Sequence, residues 1–122
     1  MASQKQQYTI LYGRLSQEDE RAGESNSILH QRELLESYAQ AKGFENTLFL
    51  ADDGYSGTNF DRPSWKKIIE MIEAGEVSTL IVKDTSRLGR EYLQVGSYME
   101  IYFPQKNVRF IAVNDGVDSA VE

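Results

Sequence analysis

Short apolar runs alternate along the chain with longer segments in which apolar residues recur every three or four positions. The runs predict strands, because a buried strand carries continuous or alternating apolar residues. The four predicted strands are Tyr8–Tyr12, which we expect to end at Gly13, Thr47–Ala51, Thr79–Val82 and Val108–Val113.

The segments between the runs predict three helices. Their expected bounds are Ser27 to Gly43, Pro63 to Gly75, and about Arg87 to Phe103. Proline suits the first turn of a helix and glycine its exit, which supports the second helix, and Pro104 is expected to break the third. In the first helix, the polar Gln31 interrupts the apolar stripe. The polar segments Gln17–Asn26 and Asp52–Asn59 are predicted to be loops.

The alternation of strands with helices predicts an α/β domain of three layers. Its central sheet should be mainly parallel, with helices on both faces and right-handed crossovers. We expect the strand order 2-1-3-4. Sites in such sheets form beyond the carboxyl ends of the strands, where the order reverses, so the ends of the first and third strands should be neighbours.

Length and composition restrict the class of protein. A chain of 122 residues with 40% hydrophobic content has the size of one domain, which we expect to comprise residues 1–122. With no cysteine and a single histidine, neither a disulfide framework nor a thiolate metal site is expected, and no cofactor is predicted. No run reaches the roughly 18 apolar residues of a membrane span, and the polar start differs from a signal peptide. We therefore expect a cytoplasmic protein without a membrane partner.

Candidate catalytic residues occur where the first and third strands end. Arg14 and Ser16 come immediately after the first strand, Arg87 and Arg90 follow the third, and Gln31 should face the same pocket from the first helix. Arginine presents a planar, permanently charged fork that matches phosphate oxygens. A serine hydroxyl among arginines therefore indicates a nucleophile directed at a phosphodiester, and the arginines can stabilise the developing charge without a metal.

The net charge of −6 argues against a nucleic-acid protein, because binding to a polyanion normally shows as a basic surface. Local positive potential can persist in an acidic protein. We expect the domain to bind DNA weakly, with further affinity supplied from outside it.

Each candidate also has an ordinary structural interpretation. Ser16 could be a turn residue, and Arg87 with Arg90 could form a solvated helix face. Gln31 could bond only to backbone at the helix start, and Asp53 could only cap the following turn. His30 is expected at the surface.

Five short motifs occur in order along nearly the whole chain. They are Tyr12-Gly13-Arg14-Leu15-Ser16, Ser27-Ile28 with Gln31, Asp53 with Ser56-Gly57, Arg62-Pro63, and Ser86-Arg87-Leu88-Gly89-Arg90. Together they resemble the serine recombinase family of resolvases, invertases, transposon recombinases and integrases. The resemblance implies a three-layer, resolvase-like fold and site-specific DNA recombination.

The resemblance also implies roles for individual residues. Ser16 would attack a DNA phosphate and form a phosphoserine linkage to the 5′ end. The other implied catalytic residues are Arg14, Gln31, Arg62, Arg87 and Arg90. Asp53 and Ser86 are implied supporting residues, although many family members carry an aspartate where this chain has Ser86.

The segment between Ser16 and Ser27 and the ending 115–119 resemble the large serine recombinases of mobile elements. This implies a catalytic domain that is a fragment of a longer protein and is not expected to recombine DNA alone. The implied partners are double-stranded DNA and further copies of the protein, as a dimer on each site and a tetramer at synapsis.

Two other classes remain open at this stage. A catalytically silent DNA-binding or assembly module is suggested by Ser86 and by the acidic charge. A phosphoacceptor receiver domain is suggested by Asp52-Asp53, Lys83 and Thr85, but that design places its acidic pair after the first strand.

Overall fold

Five strands and three helical segments make up the described part of the chain. The computed structural model describes residues 7–15, 28–53, 63–84 and 101–118. The elements are β1 (Tyr8–Leu15), α1 (Ile28–Lys42), β2 (Thr47–Asp53), α2 (Pro63–Glu73), β3 (Val77–Val82), the helical turn α3 (Phe103–Gln105), β4 (Arg109–Ala112) and β5 (Val117–Asp118).

The strands form one sheet in the order β2-β1-β3-β4-β5. The first four run parallel, and β5 pairs antiparallel with β4. The predicted parallel order 2-1-3-4 is therefore confirmed. The edge strand β5 was not predicted, because two residues are too few to show a period. It is held by Arg109, whose guanidinium donates to Asp118 Oδ1 at 2.9 Å and Oδ2 at 2.6 Å.

Each face of the sheet packs against a helix, as the alternation predicted. On one face, Tyr12, Leu80 and Phe110 pack with Trp65 and Ile68 of α2. The smaller core on the other face comprises Leu11, Leu35, Ala39, Ile81 and Ile111. Strand side chains alternate between faces. Accordingly, Tyr12, Leu48 and Leu50 lie on the face of α2, and Leu11 and Phe49 lie on the face of α1.

Two strands extend beyond their predicted ends. β1 continues through Arg14 to Leu15, whereas we expected it to end at Gly13, and β2 continues through Asp52 to Asp53. The two extensions pair with each other, Arg14 opposite Asp52 and Leu15 opposite Asp53. Arg14 and Asp52 were expected outside the strands because they are charged. In the structure they belong to the β1–β2 ladder, and the side chains of both are buried at its end.

The helix ends agree with the sequence except at Pro104. Gly43 and Gly75 follow α1 and α2 with φ of 79° and 76°, the left-handed conformation that glycine adopts without strain. Pro104 was expected to stop the third helix, but it lies in the first turn of α3, where a missing N–H is tolerated. The predicted helical residues 87–100 and the predicted loop residues 17–26 and 54–59 lie outside the described residues.

Candidate active site at the carboxyl end of β1

Arg14 lies near the carboxyl end of β1 and its side chain is completely buried. By alternation along the strand, it faces α2 together with Tyr12. Burying a guanidinium is expensive unless it is paired, and its attraction to an anion grows as the effective dielectric falls. A buried guanidinium near a strand end can therefore contribute a strong positive potential to that end of the sheet.

The backbone of Arg14 lies beyond the end of the ladder between β1 and β3. Tyr8 donates its N–H to Glu76 on the β3 side, whereas Thr9 donates to Asn46 on the β2 side. The backbone groups of even-numbered residues in β1 therefore point towards β3. The β1–β3 ladder ends at Tyr12 opposite Val82, so it does not reach Arg14.

The side chain of Gln31 in α1 replaces β3 as the hydrogen-bonding partner of the Arg14 backbone. Its side-chain Oε1 accepts the Arg14 N–H at 3.0 Å, and its Nε2 donates to the Arg14 carbonyl at 3.0 Å. Gln31 is fully buried, and these bonds go to β1 rather than to the start of its own helix. The polar interruption in the apolar stripe thus has a physical reason, since the carboxamide satisfies both backbone groups that β3 leaves unpaired.

Gly13 permits the approach of Gln31. A Cβ atom at this position would lie 3.1 Å from Phe49 Cζ and 3.2 Å from Gln31 Oε1. Both contacts are tighter than normal packing allows. The glycine in the motif before Ser16 therefore has a steric role that sequence reasoning did not assign.

Sequence reasoning also missed Asp52, which it placed in a loop. Its Oδ2 accepts the Tyr12 hydroxyl at 2.8 Å and the Trp65 N–H at 3.0 Å, and its Oδ1 accepts the Ser64 N–H at 2.9 Å. The side chain is only 3% exposed. The alternation of Leu48, Leu50 and Asp52 could have revealed a buried carboxylate on the face that packs against α2.

The structure describes part of the predicted site. Arg14 and Gln31 are brought together, and the Asp53 backbone pairs with Leu15; the side chain of Asp53 lies outside the described part. The remaining predicted site residues, Ser16, Arg62, Ser86, Arg87 and Arg90, also lie outside it. Two of them adjoin described residues, because Leu15 precedes Ser16 and Pro63 follows Arg62.

Among the residues that the structure describes, the groups with a shifted pKa, Glu73 and Arg109, lie at the opposite end of the sheet. The pKa of Glu73, at the end of α2, is lowered by hydrogen bonds from Tyr102 and Lys106. The pKa of Arg109, at the start of β4, is raised mainly by its hydrogen bonds to Asp118. These pairs contribute to the scaffold rather than to the site at the carboxyl end of β1.

Two further observations concern the described ranges only. No group of three or more histidine, cysteine, aspartate or glutamate side chains is arranged there to hold a metal ion. None of the helices within residues 7–15, 28–53, 63–84 and 101–118 is long and apolar enough to cross a membrane.

Comparison with known proteins agrees with the fold and motifs. The sequence profile described as "Resolvase, N terminal domain" matches residues 9–121. The N-terminal catalytic domain of TP901-1 integrase has a TM-score of 0.80 at 27% identity, over 93% of this chain and 82% of that one. The C-terminal catalytic domain of ISC1926 TnpA, an IS607-like serine recombinase, has a TM-score of 0.71 at 26% identity, over 87% and 67%.

A phage relative matches part of the sequence. The uncharacterized immunity region protein 3 of Bacillus phage phi105 is 37% identical over 65 residues, which are 53% of this chain and 78% of that protein. The profile match, by contrast, includes residues of all five strands and of the helices on both faces of the sheet. The chain therefore belongs to the resolvase family, and its fold is that of a serine recombinase catalytic domain.

Proposed function

We propose that the chain is the catalytic domain of a large serine recombinase of a mobile element, which cleaves and rejoins double-stranded DNA through Ser16. The observation that carries the proposal is the buried guanidinium of Arg14, two residues before Ser16, on a strand end whose backbone Gln31 holds. Family membership supports the reaction class.

In the proposed reaction, the Ser16 oxygen attacks the phosphorus of a DNA phosphodiester. The bond from phosphorus to the 3′ oxygen breaks, the serine gives up its proton, and the leaving oxygen takes one up as a free 3′ hydroxyl. The 5′ end stays on Ser16 as a phosphoserine. A 3′ hydroxyl from another DNA end can reverse the step, so the strand is rejoined without ATP.

Arginine would supply the electrostatic stabilisation. Negative charge on the non-bridging phosphate oxygens must be neutralised as the serine attacks. Arg14 is buried, so its charge acts where the effective dielectric is low. Arg62, Arg87 and Arg90 would add guanidiniums from the segments that follow β2 and β3, and Asp53 and Ser86 would have supporting roles.

DNA affinity would depend on more than this domain. The net charge of −6 opposes binding to a polyanion at long range. We propose that the domain acts within a longer protein, as a dimer on each DNA site and a tetramer at synapsis, in the cytoplasm. Basic regions outside residues 1–122 would then supply most of the affinity.

The two alternative classes differ in their support. A silent assembly or DNA-binding module remains the second candidate, because Ser86 and the acidic charge both depart from what DNA cleavage favours. A receiver domain is disfavoured by Asp52, since its oxygens accept hydrogen bonds from Tyr12, Ser64 and Trp65 and a phosphoacceptor needs an accessible oxygen.

The proposal is tested by trapping the covalent intermediate. The protein at its natural length is incubated with DNA segments that flank its own gene, and denaturing gels resolve protein joined to DNA. An adduct at the 5′ end that disappears in Ser16→Ala supports the mechanism. An adduct that persists in Ser16→Ala would move the nucleophile to another residue, and specific binding without any adduct would favour the silent module.

A further inference from the structure

A single buried carboxylate connects β1, β2 and the start of α2. Asp52 belongs to β2, accepts the hydroxyl hydrogen of Tyr12 from β1, and accepts the backbone N–H groups of Ser64 and Trp65 from α2. The Ser64 hydroxyl adds a bond of 2.7 Å to the Ala51 carbonyl. The first turn of α2 is therefore bonded to the sheet at several points.

This arrangement differs from an ordinary helix cap. A capping side chain normally belongs to the residue next to the first turn and accepts hydrogen bonds from the second or third N–H. Asp52 accepts the same kind of bond from residues 12 and 13 positions later in the chain. A local cap stabilises only its helix, whereas this carboxylate also fixes where the helix begins relative to β1 and β2.

The place where Asp52 anchors the start of α2 lies beside Arg14. Asp52 is the ladder partner of Arg14, and both are buried. The rings of Tyr12 and Trp65 pack with centroids 5.5 Å apart, which adds an apolar contact between β1 and α2. Arg62 immediately precedes Pro63, the first residue of α2.

We infer that Asp52 is a positioning residue of the active site: it anchors the first turn of α2, the helix that Arg62 precedes in the sequence, to β1 beside Arg14. The inference rests on the proposed function. Asp52 would not touch the DNA, because Tyr12, Ser64 and Trp65 already use its oxygens. A small displacement of a catalytic group suffices to slow a reaction, since a shift of 1 Å can cost about 10²-fold in rate.

The test combines Asp52→Asn with Tyr12→Phe in the natural-length protein. Asparagine keeps the shape but replaces one acceptor oxygen with an NH₂ group. Matched controls are Glu73→Gln and Tyr102→Phe, because Glu73 is also a carboxylate of α2 that accepts a tyrosine hydroxyl, but at the far end of the helix. The readouts are the rate of adduct formation at saturating DNA, the affinity for DNA, and the backbone order parameters of Ser64 and Trp65 by NMR.

The expected effect is confined to the variants at the start of α2, where Asp52 contacts the helix. Asp52→Asn should slow adduct formation on the order of 10²-fold with unchanged DNA affinity, and Tyr12→Phe should slow it less. Both controls should keep the wild-type rate. The order parameters of Ser64 and Trp65 should fall in Asp52→Asn relative to wild type, towards the flexible range below about 0.6. In an Arg62→Lys background, Asp52→Asn should cause a much smaller further loss, because the two residues act through one group.

The contrary results separate this inference from the proposed function. Unchanged order parameters of Ser64 and Trp65 in Asp52→Asn, or an equal loss of rate with and without Arg62→Lys, would overturn the positioning role. A wild-type protein that forms no Ser16 adduct would overturn the proposed function, while the order parameters would still decide whether Asp52 anchors the start of α2.

Discussion

Gln31 forms two hydrogen bonds of 3.0 Å with the backbone of Arg14, one to its N–H and one from its carboxamide nitrogen to the carbonyl oxygen. The side chain thereby imitates a strand at the point where the β1–β3 ladder has ended. It holds the extended conformation of β1 up to the residue before Ser16.

Gln31→Glu should destabilise the fold, because a carboxylate oxygen would replace the nitrogen that donates to the Arg14 carbonyl. Leaving that buried acceptor opposite a negative charge should lower the free energy of unfolding by about 1–3 kcal/mol. Urea denaturation at pH 7 measures the loss. At acidic pH the introduced carboxyl is protonated and can donate, so the deficit should shrink.

The control for Gln31→Glu is Gln40→Glu in the same helix, where the side chain is exposed. It should change the unfolding free energy by less than about 0.5 kcal/mol. Equal stability of the two variants would show that the carboxamide of Gln31 does not hold β1.

Gly13→Ala should be destabilising although alanine suits strands better than glycine does. The new methyl group would lie 3.1 Å from Phe49 Cζ and 3.2 Å from Gln31 Oε1, and Gln31 cannot retreat without losing its bond to Arg14. We expect a loss of about 1 kcal/mol in unfolding free energy. Gly13→Ala should cost less unfolding free energy in a Phe49→Leu background than in the wild type, because the smaller side chain leaves room for the methyl group. Denaturation of all four proteins completes the cycle, and strict additivity would rule out the steric contact.

Arg109→Lys should weaken the edge of the sheet. Lysine cannot reproduce the two parallel hydrogen bonds to Asp118 or the stacking of the guanidinium 5.4 Å from the Phe44 ring. The pair is partly exposed, with side-chain accessibilities of 39% and 18%, so the loss should be only about 0.2–1 kcal/mol.

A comparable arginine provides the control for Arg109. Arg32 also lies 5.4 Å from an aromatic ring, that of Phe49, but its Nε pairs at 3.0 Å with one oxygen of Glu36, and both side chains are about half exposed. Arg32→Lys should therefore cost less than Arg109→Lys in urea denaturation. The reverse order would contradict the importance of the paired geometry.

Glu73 should make stability depend on pH in the acidic range. Hydrogen bonds from Tyr102 and Lys106 lower its pKa in the folded state below the ordinary value of 4.5. A depressed carboxyl pKa contributes stability above the unfolded-state pKa, and this contribution is lost as pH falls through the folded-state pKa. Wild type should exceed Glu73→Gln in stability at pH 7, and the difference should disappear as pH falls below about 4.5. A difference that grows on acidification would contradict the assignment.

The sequence by itself determined the first four strands, the first two helices and their order along the chain. Apolar runs and helical spacing fix which segments are strands and helices, because burial of apolar side chains depends mainly on local period. Gly43 and Gly75 marked helix exits for a local reason as well, since glycine adopts positive φ without strain. The alternation of elements predicted a mainly parallel sheet, and the expected order β2-β1-β3-β4 is the one observed.

Only the tertiary structure decided how far β1 and β2 extend and which polar groups they bury. Arg14 and Asp52 look like loop residues in a sequence, because their burial depends on partners far along the chain. Gln31 is 17 residues from Arg14, and Tyr12 is 40 residues from Asp52. Such bonds leave no periodic signal, since one polar residue in an apolar stripe does not specify its partner. Asp52 can anchor α2 because its side chain lies on the face of β2 that packs against this helix.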